Sequence, residues 1–541
     1  MRLPCRLQGR SAVGVLLLTL SLFAATRPLA GSPPPLIVLI TSEQLRSDYL
    51  QLYENSFSAG GFGRLLTEGA VYPTARYDHL ATLAGPNAAV LATGAYPSRH
   101  GIVANRWHER SYAKVVSALE TGPSQGSLAV SPLRLIGSTF ADELRWATDG
   151  RSRVVAVSGS AEGAVFLAGR RPIGCYWMGA SDVFQTSRYY RQALPGWVEA
   201  FNALHGAVRA RGRKWFALGQ RTDSVPLRVI NARTESDLTA LYRASPFAAR
   251  DTFALALRSV EAEELGQGDY PDLLVVNVSA PARLATETGA RSPLMRDMIL
   301  RLDRLLDAFL NDLDQILGLE NVGIVLTGLH GAAPLPETIR NEGLSAGRVR
   351  GEDVVHTIDG ALRESFGPEV HVEKFVYPYV YLSAAARTAV PERRATIVRT
   401  AGEAARTLTG IAGFYSPETG PATAPGADKI QRSWYPDRVG DLALVYEPFY
   451  SEDFGNGRGT VPGSYYRYDT DVSLIFYGRG FRTGRFQGPA DASDIAPTLS
   501  AWLGIAPPSS ATGRVLAEAL LPKATTDFVD PDFVGPPPNS P

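Results

Sequence analysis

Three short runs of mainly apolar residues constrain the fold of this chain most strongly. They are Leu36 to Thr41, Leu273 to Val278 and Val322 to Thr327. Each has the length of a strand and lacks the alternation of apolar and polar residues that one solvent-facing side would require. Such strands are buried on both faces, as in the parallel sheets of α/β proteins. The runs therefore predict central strands of a sheet that is covered by helices on both sides.

Helical patterns separate these strands. Ser292 and Pro293 form a cap residue followed by a proline in the first turn, and apolar residues then recur with a helical period until Gly318. The segment from Ser138 to Trp146 also opens with a cap candidate and predicts a helix, and the next strand is predicted over 154–158. The repeated order of strand, helix and strand predicts an α/β fold, with a doubly wound, mostly parallel sheet flanked by helices.

Polar side chains stand close to the ends of the predicted strands. Glu43 comes shortly after the first run, Ser279 after the second and His330 after the third. In parallel sheets flanked by helices, ligands bind beyond the carboxyl ends of the strands. We therefore expect the functional site at this edge of the sheet.

Most of the chain fits one large domain, since 541 residues can bury a sizeable core. We predict a signal peptide at 1–31 and an α/β domain at 36–522. Insertions that cap the sheet are predicted within about 106–270 and 340–470, where the alternation of strands and helices is interrupted. The tail at 523–541 has too few apolar residues to pack against a core and is predicted to be disordered.

The N-terminus has the features of an export signal. Arg2, Arg6 and Arg10 precede an apolar run from Val13 to Ala25, which is too short to cross about 30 Å of hydrocarbon as a helix. The pattern predicts a periplasmic or secreted protein, with an uncleaved N-terminal anchor as the alternative. No later segment has the length and apolarity of a membrane span.

Charge and cysteine content exclude two classes of protein. Lys plus Arg and Asp plus Glu both number 54, so the formal net charge is zero and nothing favours a nucleic-acid partner. Cys175 is the one cysteine of the sequence beyond the predicted signal, which excludes an internal disulfide framework. We predict that it is a partly buried apolar residue.

Two segments carry a recognisable motif: Asp78 to Asn87, and Pro97 to Asn105 with its His-Gly-Ile-Val string. Together they resemble the nucleophile segment of the alkaline phosphatase superfamily, in the type I phosphodiesterase/nucleotide pyrophosphatase branch. The family pattern reads Thr-x-Thr-x-Pro, and its second threonine is the nucleophile. Ala84 stands at that position here, and a methyl group cannot attack phosphorus.

Further strings in the same order extend the resemblance over about 36–520, and some of them are typical of phosphomonoesterase-like members. The further strings are Ser42 to Leu50, Ser187 to Tyr190, Leu194 to Val198 and Asp494 to Leu499. The resemblance implies the alkaline phosphatase-like α/β core. It also implies a site with two metal ions about 3.5–4 Å apart, which clamp the attacking and leaving oxygens of the reaction.

The resemblance assigns the first metal to positions that have lost their donors. Ala282 and Thr286 stand where the family has an Asp and a His four residues apart. Pro462 stands where the family has a second His, late in the chain. No ligand of this metal is expected to remain.

The second metal keeps two of its expected ligands. Glu43 replaces an Asp, and Leu329 replaces the Asp that precedes a retained His330. Glu43 and His330 are therefore predicted as residual metal ligands. Two donors fall short of the three protein ligands that hold catalytic zinc.

The phosphate-binding positions have also changed. Ser160 and Glu162 occupy the places of a Lys and an Arg that lie near the phosphate in phosphomonoesterase-like members. A carboxylate in place of a guanidinium repels a phosphate dianion. Asn105, which contacts a phosphoryl oxygen in the family, is retained and is predicted as the residual substrate-binding residue.

These changes predict an exported, catalytically inactive pseudoenzyme with a binding or scaffolding role for an unidentified protein or small-molecule ligand. No cofactor is expected. The alternative is a divergent metal-dependent hydrolase of phosphate mono- or diesters, which would need zinc at a rebuilt site or another nucleophile, such as Thr82. A non-catalytic binder of a carbohydrate or an anion is a further alternative. His79 is predicted to be a loop residue and His100 part of a structural turn.

Overall fold

A computed structural model describes residues 34–119, 130–221, 223–331, 333–419, 426–453, 457 and 459–521 of the chain. The predicted signal at 1–31 and the predicted tail at 523–541 lie outside these residues. No helix among the described residues combines the length and the apolarity that crossing a membrane requires.

The three apolar runs form adjacent strands at the centre of a ten-stranded sheet. Leu36–Glu43 lies between Asp272–Val278 and Val322–His330, is parallel to both, and is buried along its whole length. From one edge to the other, the strands are Gly484–Arg485, Ala70–Arg76, Asp471–Gly478, Val322–His330, Leu36–Glu43, Asp272–Val278, Val154–Ser158, Gly174–Met178 and Phe184–Gln185, with Ala490–Asp491 also paired to Ala70–Arg76. The strand Asp471–Gly478 is antiparallel to both neighbours. The five strands from Val322–His330 to Gly174–Met178 are parallel to one another, so the sheet is mostly parallel, as predicted.

Alternate residues of the central strand enter different cores, one on each face of the sheet. Ile37 and Leu39 belong to one cluster of buried side chains, and Leu36, Val38 and Ile40 belong to another. Full burial of one such side chain stabilises a fold by about 1.5–3 kcal/mol. This two-sided burial is the reason that the run lacks polar residues, and it confirms the doubly wound α/β fold.

The longest of the helices begins directly after a cap residue, whose side chain accepts a hydrogen bond from a backbone amide of the first turn. The longest spans Pro293–Leu317, and the Ser292 hydroxyl accepts a hydrogen bond from the Met295 amide at 3.1 Å, which confirms the predicted start. Other helices of six or more residues span Ser47–Leu52, Phe62–Glu68, Ala84–Thr93, Phe140–Ala147, Glu162–Ala168, Gly196–Leu204, Glu235–Arg243, Pro246–Ala262, Ala280–Thr288, Pro336–Asn341, Gly351–Phe366, Pro391–Arg406, Ala427–Ser433 and Ile495–Leu503.

Two local predictions differ from the structure. The helix predicted to open at Ser138 begins at Phe140, because Thr139 and Asp142 form a reciprocal capping box in which each backbone amide donates to the other side chain. Cys175 is completely buried in the strand Gly174–Met178 rather than partly buried. Burial raises the pKa of its thiol, which disfavours the thiolate form that reacts as a nucleophile.

A second, four-stranded antiparallel sheet lies within residues 372–446. Its order is Val372–Val376, Tyr379–Leu382, Leu442–Tyr446 and Ile411–Tyr415. The helices Gly351–Phe366 and Pro391–Arg406 pack on it and share a separate core cluster with it. The turn between its first two strands carries Tyr377, which also lines the site described next.

Candidate functional site

A cavity of about 500 Å³ lies at the carboxyl ends of the central strands. The structure brings most of the sequence-predicted positions together around it: Glu43, Ala84, Asn105, Ser160, Glu162, Ala282, Thr286, His330 and Pro462 all line the cavity. These residues come from segments that are distant along the chain, and the fold brings them to one cavity.

The register of the central strands places Glu43 and His330 side by side. Pairing between the two strands shifts after Ser42, so that Glu43 lies opposite His330. Each is the last residue of its strand, and both are almost completely buried, at 6% and 2% exposed. The predicted residual pair of ligands is therefore adjacent in space.

A hydrogen-bond network surrounds the Glu43 carboxylate, and we call Thr41, Glu43, Ser158, Ser160 and Asn277 the polar network. The Ser160 hydroxyl donates to Glu43 Oε1 at 2.5 Å, and the Asn277 amide donates to the same oxygen at 3.1 Å. Asn277 also donates to the Ser158 hydroxyl at 3.0 Å and accepts from the Thr41 hydroxyl at 2.8 Å. The network thus stabilises a buried carboxylate with neutral donors.

Asn277 was not among the predicted site residues. It lies on the strand Asp272–Val278, where it pairs with Thr41 on one side and with Ser158 on the other. The one signal in the sequence is that this strand is otherwise apolar near its end, so an amide there needs partners.

His330 is held by the backbone beside it. Its Nδ1 lies 2.9 Å from the Gly331 carbonyl oxygen, so Nδ1 carries the proton and Nε2 is the nitrogen with a free lone pair. Burial lowers the pKa of His330, although the negative charge of Glu43 and the contact with Gly331 oppose this shift. The imidazole is therefore neutral near pH 7.

Ala84 is the N-terminal residue of the helix Ala84–Thr93 and lines the cavity. The next amide, that of Gly85, donates to Asn105 Oδ1 at 2.8 Å. Asn105 is thus tied to the backbone of the nucleophile segment. Thr82, the substitute nucleophile considered above, is fully buried, and its hydroxyl donates to the Ser464 carbonyl at 2.5 Å. It does not line the cavity.

Four further residues of the lining are Ala84, Ala282, Thr286 and Pro462, which we call the bare wall. Ala282 and Thr286 lie on the helix Ala280–Thr288, one turn apart and so on the same face. The Thr286 hydroxyl donates to the Ala282 carbonyl at 2.8 Å, and the Thr460 amide donates to the Thr286 carbonyl at 3.1 Å, which brings the segment of Pro462 alongside. None of these four side chains is a metal donor of the family type.

Leu329, which stands at another lost ligand position, points away from the cavity. It is completely buried in the core cluster on one face of the sheet. Its carbonyl oxygen accepts a hydrogen bond from the Asn87 side chain at 2.7 Å.

Glu162 is the second carboxylate of the cavity, at the first position of the helix Glu162–Ala168. Burial raises the pKa of Glu162, and the nearby charge of Glu43 raises it further, while its own backbone amide and Arg283 lower it. Arg283 and Arg106 are the cations of the lining, and both are exposed to solvent. The cavity therefore holds two carboxylates inside and two screened guanidinium groups.

The donor set of the cavity does not fit the zinc ions that the family resemblance implies. Glu43 and His330 are the donors left at the expected ligand positions, and catalytic zinc takes three protein ligands. Within the described ranges, no three His, Cys, Asp or Glu side chains lie close enough together to hold a metal ion. The carboxylate of Glu43 is instead engaged by Ser160 and Asn277.

His79 and His100 lie outside the cavity. Both are completely buried, so the prediction that His79 is a loop residue understates its burial. Desolvation lowers the pKa of His79 to about 3 and also lowers that of His100, and both imidazoles are therefore neutral. They are parts of the core.

Comparisons with known proteins agree with the fold and the motifs. The model of the family "Type I phosphodiesterase / nucleotide pyrophosphatase" matches residues 37–456. The alkaline phosphatase PafA of Elizabethkingia meningoseptica is 26% identical, over 94% of this chain and 98% of that protein. The alkaline phosphatase PhoK of a Sphingomonas species is 28% identical, over 91% of this chain and 92% of that protein. These names describe hydrolases of phosphoric esters.

Solved structures give the same result for the fold. The crystal structure of PafA superimposes with a TM-score of 0.81 and 26% identity, covering 90% of this chain and 99% of that one. Murine ectonucleotide pyrophosphatase/phosphodiesterase 5 superimposes with a TM-score of 0.54 and 13% identity, over 88% of this chain and 96% of that one. At this lower identity the likeness concerns the fold alone.

Proposed function

The chain belongs to the type I phosphodiesterase/nucleotide pyrophosphatase family, and we propose that it is an exported, non-catalytic member whose cavity serves binding or scaffolding. One observation carries the proposal. The cavity in which the family motifs converge presents Ala84, Ala282, Thr286 and Pro462 where a nucleophile and three metal ligands are expected. Glu43 and His330 are the donors that remain.

The losses affect separate parts of the reaction. Without a hydroxyl at Ala84 there is no nucleophile at the family position, and without the bare-wall donors no metal lies ready to stabilise the charge on the phosphoryl oxygens. Each loss removes transition-state stabilisation that the remaining geometry does not replace. A single restored residue is therefore insufficient for catalysis.

The polar network gives Glu43 a role that needs no metal. A buried carboxylate is costly unless it is hydrogen-bonded, and Ser160 and Asn277 supply those bonds. Ser160 stands where phosphomonoesterase-like members have a Lys, and here it binds Glu43. The position that contacts the phosphate in those members thus carries a residue that supports the cavity here.

The proposal also covers the location and the ligand. The proposal includes export through the signal predicted at 1–31. The ligand is a small molecule or an element of a protein partner that enters the cavity, and no zinc takes part in binding it.

Hydrolysis and metal content test the proposal together. The exported protein, purified without chelators, is assayed with para-nitrophenyl phosphate and bis(para-nitrophenyl) phosphate in the presence of added zinc, with PafA as the positive control. We expect no turnover above buffer, no zinc by elemental analysis, and no turnover for Ala84→Thr. Turnover that a chelator abolishes, or activity of Ala84→Thr, would contradict the proposal.

A divergent metal-dependent hydrolase of phosphate mono- or diesters is the second candidate. It is favoured by the names of the relatives, which are alkaline phosphatases, and by the presence of Glu43, His330 and Asn105 around one cavity. Zinc that copurifies with the protein and supports hydrolysis would establish this candidate in place of the first.

A further inference from the structure

We propose that the cavity binds an organic ammonium ion, with the amine between Glu43 and Glu162 and the apolar part of the ligand against the remaining lining. The proposal rests on the proposed function, because it assigns the class of ligand that the same non-catalytic cavity takes. A family that acts on phosphates offers no reason to expect a cation here, whereas the charges and unpaired groups of the cavity do.

The two carboxylates of the cavity have unused capacity for a cationic donor. Both hydrogen bonds to the Glu43 carboxylate reach Oε1, and no described residue donates to Oε2. Glu162 receives no hydrogen bond from another side chain of the described residues. An ammonium group has three donors and one positive charge, so it satisfies both carboxylates and removes the repulsion between them.

Gln44 gives independent support for a polar ligand. Its side chain is 1% exposed, it belongs to the cavity lining, and neither its amide nitrogen nor its amide oxygen has a hydrogen-bond partner among the described residues. Its backbone is also in the left-handed region, with φ of 61°. Unpaired buried amide groups are uncommon and costly, and a polar ligand would supply the missing partner.

The cations of the cavity do not favour an anion instead. Arg106 and Arg283 are exposed, so solvent and salt screen their charges, whereas Glu43 is 6% exposed. An anion in the cavity would meet two carboxylates at close range. An ammonium ion meets them with the right sign of charge.

The rest of the lining suits the apolar part of an amine. Leu83, Ala84, Val376, Tyr377 and Val461 all line the cavity, beside Pro462 of the bare wall. A cavity of about 500 Å³ is within the range of small-molecule sites, which are mainly apolar with a few placed polar groups. The ligand class is therefore an amine with an apolar body.

Two ligands of the same shape and opposite charge test the proposal. Phenethylamine and phenylacetate are titrated into the full exported protein by calorimetry, with phenethyl alcohol as the neutral analogue and inorganic phosphate as the anion of the family. We expect the amine to bind at least about tenfold more tightly than the alcohol, which corresponds to one charge-assisted hydrogen bond, and we expect neither phenylacetate nor phosphate to bind.

Glu162→Gln locates the bound amine. It removes one charge from the cavity and should weaken amine binding by about tenfold. The matched control is Glu199→Gln, which changes an exposed residue on the helix Gly196–Leu204 outside the cavity lining and should bind as wild type does. Circular dichroism establishes that both variants are folded. Equal affinity of Glu162→Gln and wild type would overturn the assignment.

The outcomes separate this inference from the proposed function. Absence of amine binding, or tighter binding of phenylacetate or phosphate, overturns the ammonium site while the protein can still be non-catalytic. Hydrolysis of the aryl phosphates overturns the proposed function, whatever the amine does. The inference holds if the amine binds, Glu162→Gln weakens it and no hydrolysis occurs.

Discussion

The polar network, which reaches the cavity through Glu43 and Ser160, and the bare wall depart from the family's ligand positions in different ways. On the bare wall, three of the expected ligand positions are occupied by Ala282, Thr286 and Pro462, none of which carries a charge. The polar network still contains a buried carboxylate, Glu43, and supplies two donors to its Oε1.

The difference follows from the cost of burying charge. An alanine or a proline needs no partner when a metal is lost, so the bare wall requires no new contacts. A carboxylate without a metal or a donor is costly in the interior. The comparison therefore fits the proposed metal-free cavity, because its one residual carboxylate at a strand end has neutral partners, and it predicts different responses to mutation in the polar network and in the bare wall.

The largest expected effect is the return of a metal site to the bare wall. The triple variant Ala282→Asp, Thr286→His and Pro462→His places two donors one turn apart on one helix face and a third on the adjacent segment, which suffices for zinc with three protein ligands. We expect zinc content to rise from background to about one ion per chain, measured by elemental analysis after dialysis.

The double variant without the change at Pro462 is the matched control for that experiment. It has two new donors instead of three and should retain much less zinc after the same dialysis. A folded triple variant with the zinc content of wild type would show that the bare wall does not have the geometry of a ligand set.

The next largest effect concerns the polar network. Asn277→Ala removes the amide that donates to Glu43 and to Ser158 and accepts from Thr41. Because this leaves buried polar groups without partners, we expect the free energy of unfolding to fall by about 3 kcal/mol. Urea denaturation at neutral pH measures the change.

Thr286→Ala supplies the comparison on the bare wall. Thr286 is an exposed residue whose hydroxyl donates to the carbonyl one turn earlier, so we expect the free energy of unfolding to change by no more than about 0.5 kcal/mol. If both variants lost the same stability, the distinction between the polar network and the bare wall would have no energetic basis.

The sequence allowed the framework and the positions of the cavity to be predicted, but not the contacts around Glu43. The apolar runs specify buried strands by themselves, and the spacing of the motifs identified positions such as Ala84 and Pro462, which lie around one cavity. The partners of Asn277 depend on which strands are neighbours and on their register, and a single sequence does not specify either. A single sequence also does not specify that the side-chain amide of Gln44 is buried without a hydrogen-bond partner among the described residues.

A smaller change in the free energy of unfolding, per pH unit, is expected from Asp469, which is hydrogen-bonded to the segment that carries Pro462. The Asp469 carboxylate accepts from the Ser464 amide at 3.0 Å and from the Ser464 hydroxyl at 2.5 Å. Burial raises the pKa of Asp469 to about 7, above the value of about 3.9 for an unfolded chain. The folded protein therefore binds one more proton than the unfolded chain between these values, and its stability falls as pH rises through that window.

Asp469→Asn removes this titration. We expect wild type to lose stability relative to the variant by up to about 1.4 kcal/mol per pH unit between pH of about 4 and 7, in urea denaturation at a series of pH values. Above pH of about 8 the difference should be constant, because Asp469 is then ionised in both states. A difference that does not change with pH would mean that the carboxylate is ionised throughout, and that the segment of Pro462 is held by a charge as the Glu43 side is.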